Sequence, residues 1–391
     1  MKTLLKNASV VTPIRVYDYC DVLLEDEKIV RIQQGIPEYT ADEVIDLEEA
    51  FLLPGLIDIH SDMIEGLIEP RSTAFMDFEF SLKEAEKQLI ASGITTIYHS
   101  ISMLGNDTWG NKKIRQAANV KKLSALIQDY HNREHLIHHR LHLRYEIDNL
   151  NCYDDAVEMV ANKSANLLSF MDHSPGQGQY RNLEIYKKHM PNSGKNLTDQ
   201  EFMQYIENEK SKSMVSFAAL RTLAMLAKEN NISVASHDDD TIEKIALNKE
   251  LGVKISEFPI TIETARAANK NGLLTVLGAP NILLGGSHSG NLSAADAILE
   301  GVCDILCSDY YPSSLLHSVF FMVKNYNIPL YEMVNMVTNN PAKAVGIDDT
   351  YGAIEAGKYA DLLVVRELND YPVIERSFIH GKAVSSLCYQ V

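Results

Sequence analysis

The sequence predicts an α/β protein, a (β/α)8 TIM barrel with a small β-sandwich module built from its two chain ends. Three observations carry this. Between Gly55 and about Val345, short apolar runs alternate with longer segments of 3.6-residue period, the pattern of repeated βα units. The first ~50 residues and the stretch after Pro341 read instead as short strands separated by turns. At 391 residues the chain is too long for one small domain and suits a ~250-residue barrel with an appendage.

In order, segments 4–11, 21–24 and 29–32 read as strands, and this opening module ends at Phe51-Leu52-Leu53-Pro54-Gly55. Eight apolar runs follow, at 56–62, 94–100, 142–147, 166–173, 232–237, 253–258, 274–281 and 303–309. Eight parallel strands with crossover helices close most naturally into a barrel, although a doubly wound sheet shares the periodicity. Ser81-Leu82-Lys83-Glu84 reads as a capping box at a helix start, with Gly93 as the C-cap where φ must be positive. Thr198-Asp199-Gln200-Glu201 reads as a second box before one long helix ending near Asn231. Strand-like runs return at 359–365 and 377–379. The expected division is therefore 1–53 plus 346–391 as the β module and 54–345 as the catalytic barrel.

With 36 Lys and Arg against 53 Asp and Glu, the net charge of −17 repels phosphate backbones and anionic membranes, so neither nucleic acid nor membrane is an expected partner. An anionic small substrate requires a locally cationic pocket. The five cysteines are scattered with no C-x-x-C pair, which argues against a disulfide framework or zinc ribbon and for a reducing compartment. With no signal-like or membrane-length apolar segment, the expected location is cytoplasmic. A homo-oligomer is compatible with this composition.

His60 and Asp62 stand two apart at the end of the first barrel strand, so regular alternation places both side chains on one face at the catalytic rim. An imidazole and a carboxylate are good ligands for Zn²⁺, Mn²⁺ or Fe²⁺. Alone the pair is weak evidence; recurrence strengthens it. Glu146 ends the third run, Asp172 and His173 the fourth, His237 the fifth, Glu257 the sixth and Asp309 the eighth. Burying an unpaired His or Asp is costly, so such residues at strand ends want a purpose. Helix N-caps are the plain alternative; they explain Asp238, Asp239, Asp240 and Ser308 but not the histidines. Cys303, Ile305, Cys307 and Asp309 share a face, which makes the cysteines core filler beneath Asp309. Asp172 and His173 cannot both point inward on a regular strand, and His173 is preferred.

The loop Gly285-Gly286-Ser287-His288-Ser289-Gly290-Asn291 follows strand seven, where barrels often bind phosphate through backbone amides; a turn needing φ > 0 is its ordinary reading. A second loop, Ser174-Pro175-Gly176-Gln177-Gly178-Gln179, lies at the same rim. Arg71, Arg140, Arg144 and Arg181 fall near strand ends or loops, where guanidinium groups pair with phosphate oxygens or, equally well, with surface carboxylates.

Leu53-Pro54-Gly55-Leu56-Ile57-Asp58-Ile59-His60, the split β module, the His ending strand five and the Asp ending strand eight together resemble the amidohydrolase superfamily over the whole chain. Within it, seven segments look like the PhnM branch: His60-Ser61-Asp62, His142-Leu143-Arg144, Phe170 to Gln177, Ala235 to Asp239, Gly278-Ala279-Pro280-Asn281, Gly285 to Asn291, and Ser308-Asp309-Tyr310-Tyr311-Pro312. That branch comprises the α-D-ribose 1-methylphosphonate 5-triphosphate diphosphatases of the carbon-phosphorus lyase pathway, which release pyrophosphate and leave a 5-phosphate.

The resemblance implies a barrel holding one or two divalent ions (Zn, Mn or Fe) on His60, Asp62, Glu146, His173, His237 and Asp309, with Asp309 also activating the attacking water. It implies a phosphorylated ribose phosphonate held by Arg71, Arg144, Asn281, Gly286, Ser287, His288 and Gly290. The sequence departs from the superfamily where Asp62 replaces the second His of H-x-H, where strand four has no Lys for carboxylation, and where Glu257 replaces a metal His. Glu146 is the first choice for the carboxylate the missing Lys would have supplied. Two rival readings stand beside this one: hydrolysis of a cyclic amide or imide, as in dihydroorotase-like relatives, and a barrel without catalysis that serves as an assembly subunit.

Overall fold

The computed structural model describes residues 1–104, 112–178, 183, 186–187, 197–286 and 291–389. Gln179, Arg181, Ser287, His288, Ser289 and Gly290 lie outside the described residues. Two sheets organise the chain. Strands β1 (Lys2–Val11), β2 (Val16–Glu25), β3 (Lys28–Gln33), β4 (Glu43–Asp46) and β5 (Phe51–Pro54) lead into β6 (Leu56–Ser61), β7 (Ile94–Met103), β8 (His138–Glu146) and β9 (Leu167–Met171). Then come β10 (Ser233–His237), β11 (Ile255–Glu257), β12 (Leu274–Gly278), β13 (Ile305–Cys307), β14 (Leu362–Leu368), β15 (Tyr371–Ile379) and β16 (Lys382–Ser386).

Strands β6 to β13 form the parallel sheet in chain order, one strand from each of the eight apolar runs. Each strand is buried on both faces, which is why the runs read as continuous rather than alternating; all ten residues of β7 are buried. The sheet closes between its first and last strands through a parallel bridge of Ser61 with Asp309. Asp309 N donates to His60 O at 3.0 Å and Asp62 N to Asp309 O at 2.9 Å. Ile57, Ile59, Tyr98, Leu167, Ala235, Ile255, Val276, Ile305 and Cys307 pack the interior, and Ala342, Ala344 and Val345 pack against the same cluster. This is a filled core rather than a pore, so chemistry is confined to the rim.

The second sheet runs β16-β15-β14-β5-β1-β2-β3, with β4 beside β1. It joins the two chain ends where β5 pairs antiparallel with β14, Leu52 opposite Val364. Its own core takes Leu5, Val10, Val22 and Leu52 from one end and Leu362, Val364 and Phe378 from the other. Gly55 alone separates β5 from β6. A Cβ there would overlap Thr95 Oγ1 on the neighbouring strand, so the Pro-Gly step is a steric requirement of passing from one sheet to the other. Gly55→Ala is expected to destabilise the protein by about 1–3 kcal/mol, the usual cost of overpacking. Thermal unfolding is the check; an unchanged midpoint would show that Thr95 yields without cost.

Three local expectations are corrected. The helix before β7 is Phe78–Ala91 and is capped by Asp77, whose side chain accepts from Phe80 N; Ser81 sits inside the helix and donates to Asp77 O. The aspartate begins the helix earlier because it completes the first turn over the buried Phe78 and Leu82. The Thr198 capping box forms with Glu201 as expected, but the helix it starts ends at Lys210, and a second helix, Phe217–Glu229, begins at its own cap Ser216. Cys303 belongs to the outer core rather than to the barrel interior with Ile305 and Cys307, because β13 starts only at Ile305. All five cysteines are free. Among the described residues no helix is long and apolar enough to cross a membrane.

Candidate metal centre and active site

The C-terminal ends of β6, β8, β10, β11 and β13 bring most of the singled-out residues together. Between Asp58 and Ser61, β6 uses three residues where β7 uses two. This bulge breaks the alternation expected for His60 and Asp62. His60 turns inward toward Glu257, with Nδ1 2.9 Å from Oε1. Asp62 instead precedes the helix Met63–Ile68, outside the cluster that His60, His237 and Glu257 form.

One donor atom from each of His60, His237 and Glu257 lies within 4.8 Å of the other two, and all three residues are buried. A second such group, His173, His237 and Asp238, shares His237. The rings of His60 and His237 are 5.5 Å apart, and those of His173 and His237 5.7 Å. Burial, followed by the cationic surroundings of Arg144 and His237, pushes His60 well below the usual imidazole range. The neutral ring donates Nδ1–H to Glu257 and keeps a lone pair on Nε2, the arrangement of a metal-ligating histidine oriented by a carboxylate. His142, lower in the barrel, contacts Ile59 O at 3.1 Å and Ser169 Oγ at 2.9 Å, and burial pushes it down to about 3.

Glu146 pairs with His173 at 2.6 Å. Burial opposes charge on both, yet their mutual attraction prevails: His173 is raised and Glu146 lowered. Asp172 turns away, its carboxylate accepting from Ser174 N at 3.0 Å. Asp309 is held by the closing seam and pushed up to about 7, first by burial and then by the neighbouring Asp62. Arg144 is the buried cation among these carboxylates, with Nη2 3.2 Å from His237 Nε2 and Nε 3.1 Å from Met171 Sδ.

A cation fits this donor set. Glu257 Oε2 is buried without a hydrogen-bond partner, and leaving such a group unsatisfied costs about 1–3 kcal/mol, more when charged. Asp238 Oδ2 approaches His237 Nδ1 to 3.2 Å. Mixed imidazole and carboxylate donors suit Zn²⁺, Mn²⁺ or Fe²⁺.

Other residues fall elsewhere. Arg71 is exposed in a turn bridged to Ala74. The Asn281 amide is engaged by Leu292 O at 3.2 Å and Ala294 N at 3.0 Å, which fastens the loop after β12. Gly286 stands on that loop with φ 155°. Asp238 to Asp240 are not caps; Thr241 caps the helix Ile242–Leu251. Asp239 accepts from Ser236, Ser256 and Asn248, while Asp240 accepts from Gly178 N. Ser308 donates its hydroxyl to Ser61. The grouping of Glu257 and Asp238 with the histidines was not legible from residue spacing. Its structural sign is backbone: Asp238, Phe258 and Asp309 all take left-handed φ of 52°, 52° and 57°. Non-glycine residues held there cost about 1–3 kcal/mol and cluster at functional sites.

A filled parallel barrel whose rim gathers buried histidines and carboxylates around Arg144 is the architecture of a hydrolase. The sequence profile of the Amidohydrolase family matches residues 189–384, and the chain belongs to that family. It is 35% identical to alpha-D-ribose 1-methylphosphonate 5-triphosphate diphosphatase of Escherichia coli (strain K12) over 88% of this chain and 90% of that one. It is 23% identical to imidazolonepropionase of Fusobacterium nucleatum over 88% of this chain and 84% of that one. Among solved structures, dihydropyrimidinase from Brevibacillus agri superposes with a TM-score of 0.66 at 16% identity, covering 99% of this chain and 95% of that one. N-acetylglucosamine-6-phosphate deacetylase from Pasteurella multocida gives 0.62 at 15%, covering 99% and 100%. These two likenesses establish the shared fold.

Proposed function

We propose that this protein hydrolyses the 5-triphosphate of an α-D-ribose 1-alkylphosphonate to the 5-phosphate and pyrophosphate, in phosphonate catabolism. The observation that carries this reading is the 35% identity to the E. coli enzyme over 88% of the chain. The donor set supports it. His60, His237 and Glu257 would hold one divalent ion; His173, braced by Glu146, and Asp238 would offer donors for a second. When bound, the metal supplies Lewis acidity and makes water a better nucleophile near neutral pH.

The remaining steps belong to the chain. Asp309 accepts the proton of the attacking water as its oxygen bonds to the α-phosphorus. The bond from that phosphorus to the bridging oxygen breaks, and pyrophosphate leaves with the electron pair. Arg144 steadies phosphate oxygens as charge develops on them. Burial, and then the like charge of Asp62, keep the Asp309 carboxyl basic.

Purified protein loaded with Zn²⁺ or Mn²⁺ is to be assayed by phosphorus NMR on ribose 1-methylphosphonate 5-triphosphate, dihydroorotate and a dihydropyrimidine. Pyrophosphate formed in step with 5-phosphate is the expected result. Turnover of a cyclic amide with an inert triphosphate would transfer the site to the rival chemistry, and inertness towards all three would leave this reading without support. Arg144→Lys keeps the charge but loses the planar fork. It is expected to raise KM for the triphosphate by roughly tenfold with an unchanged far-ultraviolet spectrum; an unaltered KM would remove Arg144 from phosphate binding.

A further inference from the structure

The opposite end of the barrel holds a second convergence of imidazoles that the reaction does not use. His131 and His135 lie between the helix Ala117–Tyr130 and β8, and His138 is the first residue of β8. One nitrogen from each ring lies within 4.8 Å of one from each of the others. His138 stands eight residues below Glu146 on the same strand, roughly 26 Å away at strand rise, so this cluster is separate from the catalytic rim.

Each of the three rings has one nitrogen already committed to an acceptor. His131 Nε2 meets His139 O at 2.8 Å, His135 Nδ1 meets Arg133 O at 2.8 Å, and His138 Nε2 meets Asp361 Oδ2 at 2.9 Å. A carbonyl or carboxylate oxygen can only accept, so each committed nitrogen carries the proton and the other nitrogen of each ring keeps its lone pair. Metal-bound histidines are held this way, their second nitrogen donating to a carbonyl or carboxylate. Tetrahedral nitrogens at about 2.0–2.1 Å from Zn²⁺ stand ~3.4 Å apart, so the three rings must close in from a spacing of up to 4.8 Å to bind an ion. His131 is exposed, His135 half-buried and His138 buried, which provides a path of entry from solvent.

We propose that His131, His135 and His138 form a second site for a divalent transition metal such as Zn²⁺ or Ni²⁺, with water completing the coordination. Its consequence is structural. Asp361, which holds His138, also accepts from His380 N at 2.8 Å and through its carbonyl from Gly55 N at 2.8 Å. The ion therefore fixes the loop before β8 to the junction of the two sheets, and its binding stabilises the folded chain.

The test uses the full chain equilibrated with Zn²⁺. Metal per chain, Zn²⁺-dependent rise in unfolding temperature and turnover are measured for wild type, His131→Ala and His135→Ala. Each variant is expected to hold one equivalent fewer than wild type, to lose most of the Zn²⁺-dependent rise, and to keep wild-type turnover. Equal metal content in all three proteins would overturn the proposal. So would loss of turnover together with the equivalent, because the ion lost would then be the catalytic one. His131 is on the surface, so its variant remains decisive even if His135→Ala folds poorly.

Discussion

Asp309→Asn is expected to lower turnover by about 10²–10⁴-fold, the range associated with removing a positioned proton acceptor, while leaving the fold intact. The barrel seam depends on the backbone of this residue: its amide binds His60 O, and its carbonyl receives Asp62 N and the Ser61 hydroxyl at 3.0 Å. An amide side chain of the same shape disturbs none of these. It also removes one of several crowded carboxylates, since burial and then Asp62 are what push Asp309 up to about 7. The unfolding midpoint should therefore be unchanged or slightly higher. Steady-state pyrophosphate release and thermal unfolding measured on one preparation decide the matter. Near-normal release would deny Asp309 the proton, and loss of activity with a collapsed midpoint would make its role structural.

Glu257→Gln is the second large effect. Glutamine keeps the volume and can still accept from His60 Nδ1, so the ring stays oriented, but the negative charge facing His60 and His237 is gone. Carboxylates that ligate or orient ligands at metal sites typically contribute 10–100-fold in affinity or activity. We expect a loss of at least that size in metal retention after dialysis, with turnover falling in parallel and recovering in part at high metal concentration. Glu146→Gln is the informative partner. Glu146 bonds to His173 rather than to the His60 group, so its variant should retain the ion on His60 and His237. If Glu257→Gln bound metal and turned over as wild type while Glu146→Gln did not, the carboxylate favoured from sequence would be the true ligand.

Asp309 reaches the site through the closure of the barrel. Its position is fixed by a closing hydrogen-bonded seam beside His60, with Asp58 buried beneath and accepting from Ser308 N at 3.1 Å and His60 N at 3.3 Å. Burial raises Asp58 to about 6, partly opposed by its Ser308 bonds. Carboxylate and imidazole meet because the barrel closes, not because they are near in the chain.

Much of the architecture is legible along the chain because it is written in periodicity. Buried strands must be apolar throughout and crossover helices must repeat every 3.6 residues, so all eight barrel strands, with β1, β2, β3, β14 and the end of β15, can be read one residue after another, while the short, largely exposed β4 and β16 go unread. The placing of polar residues at strand ends is equally local, and it marks His60, His173, His237 and Asp309 without coordinates. What alternation could not give is which neighbours meet across the rim. One bulge in β6 separates His60 from Asp62, and three left-handed residues re-aim the ends of β10, β11 and the seam. The pairing of Glu257 with His60 joins residues 197 positions apart. Such choices follow from closure and from the need to satisfy buried charge, which are properties of the packed whole and leave no period in the chain.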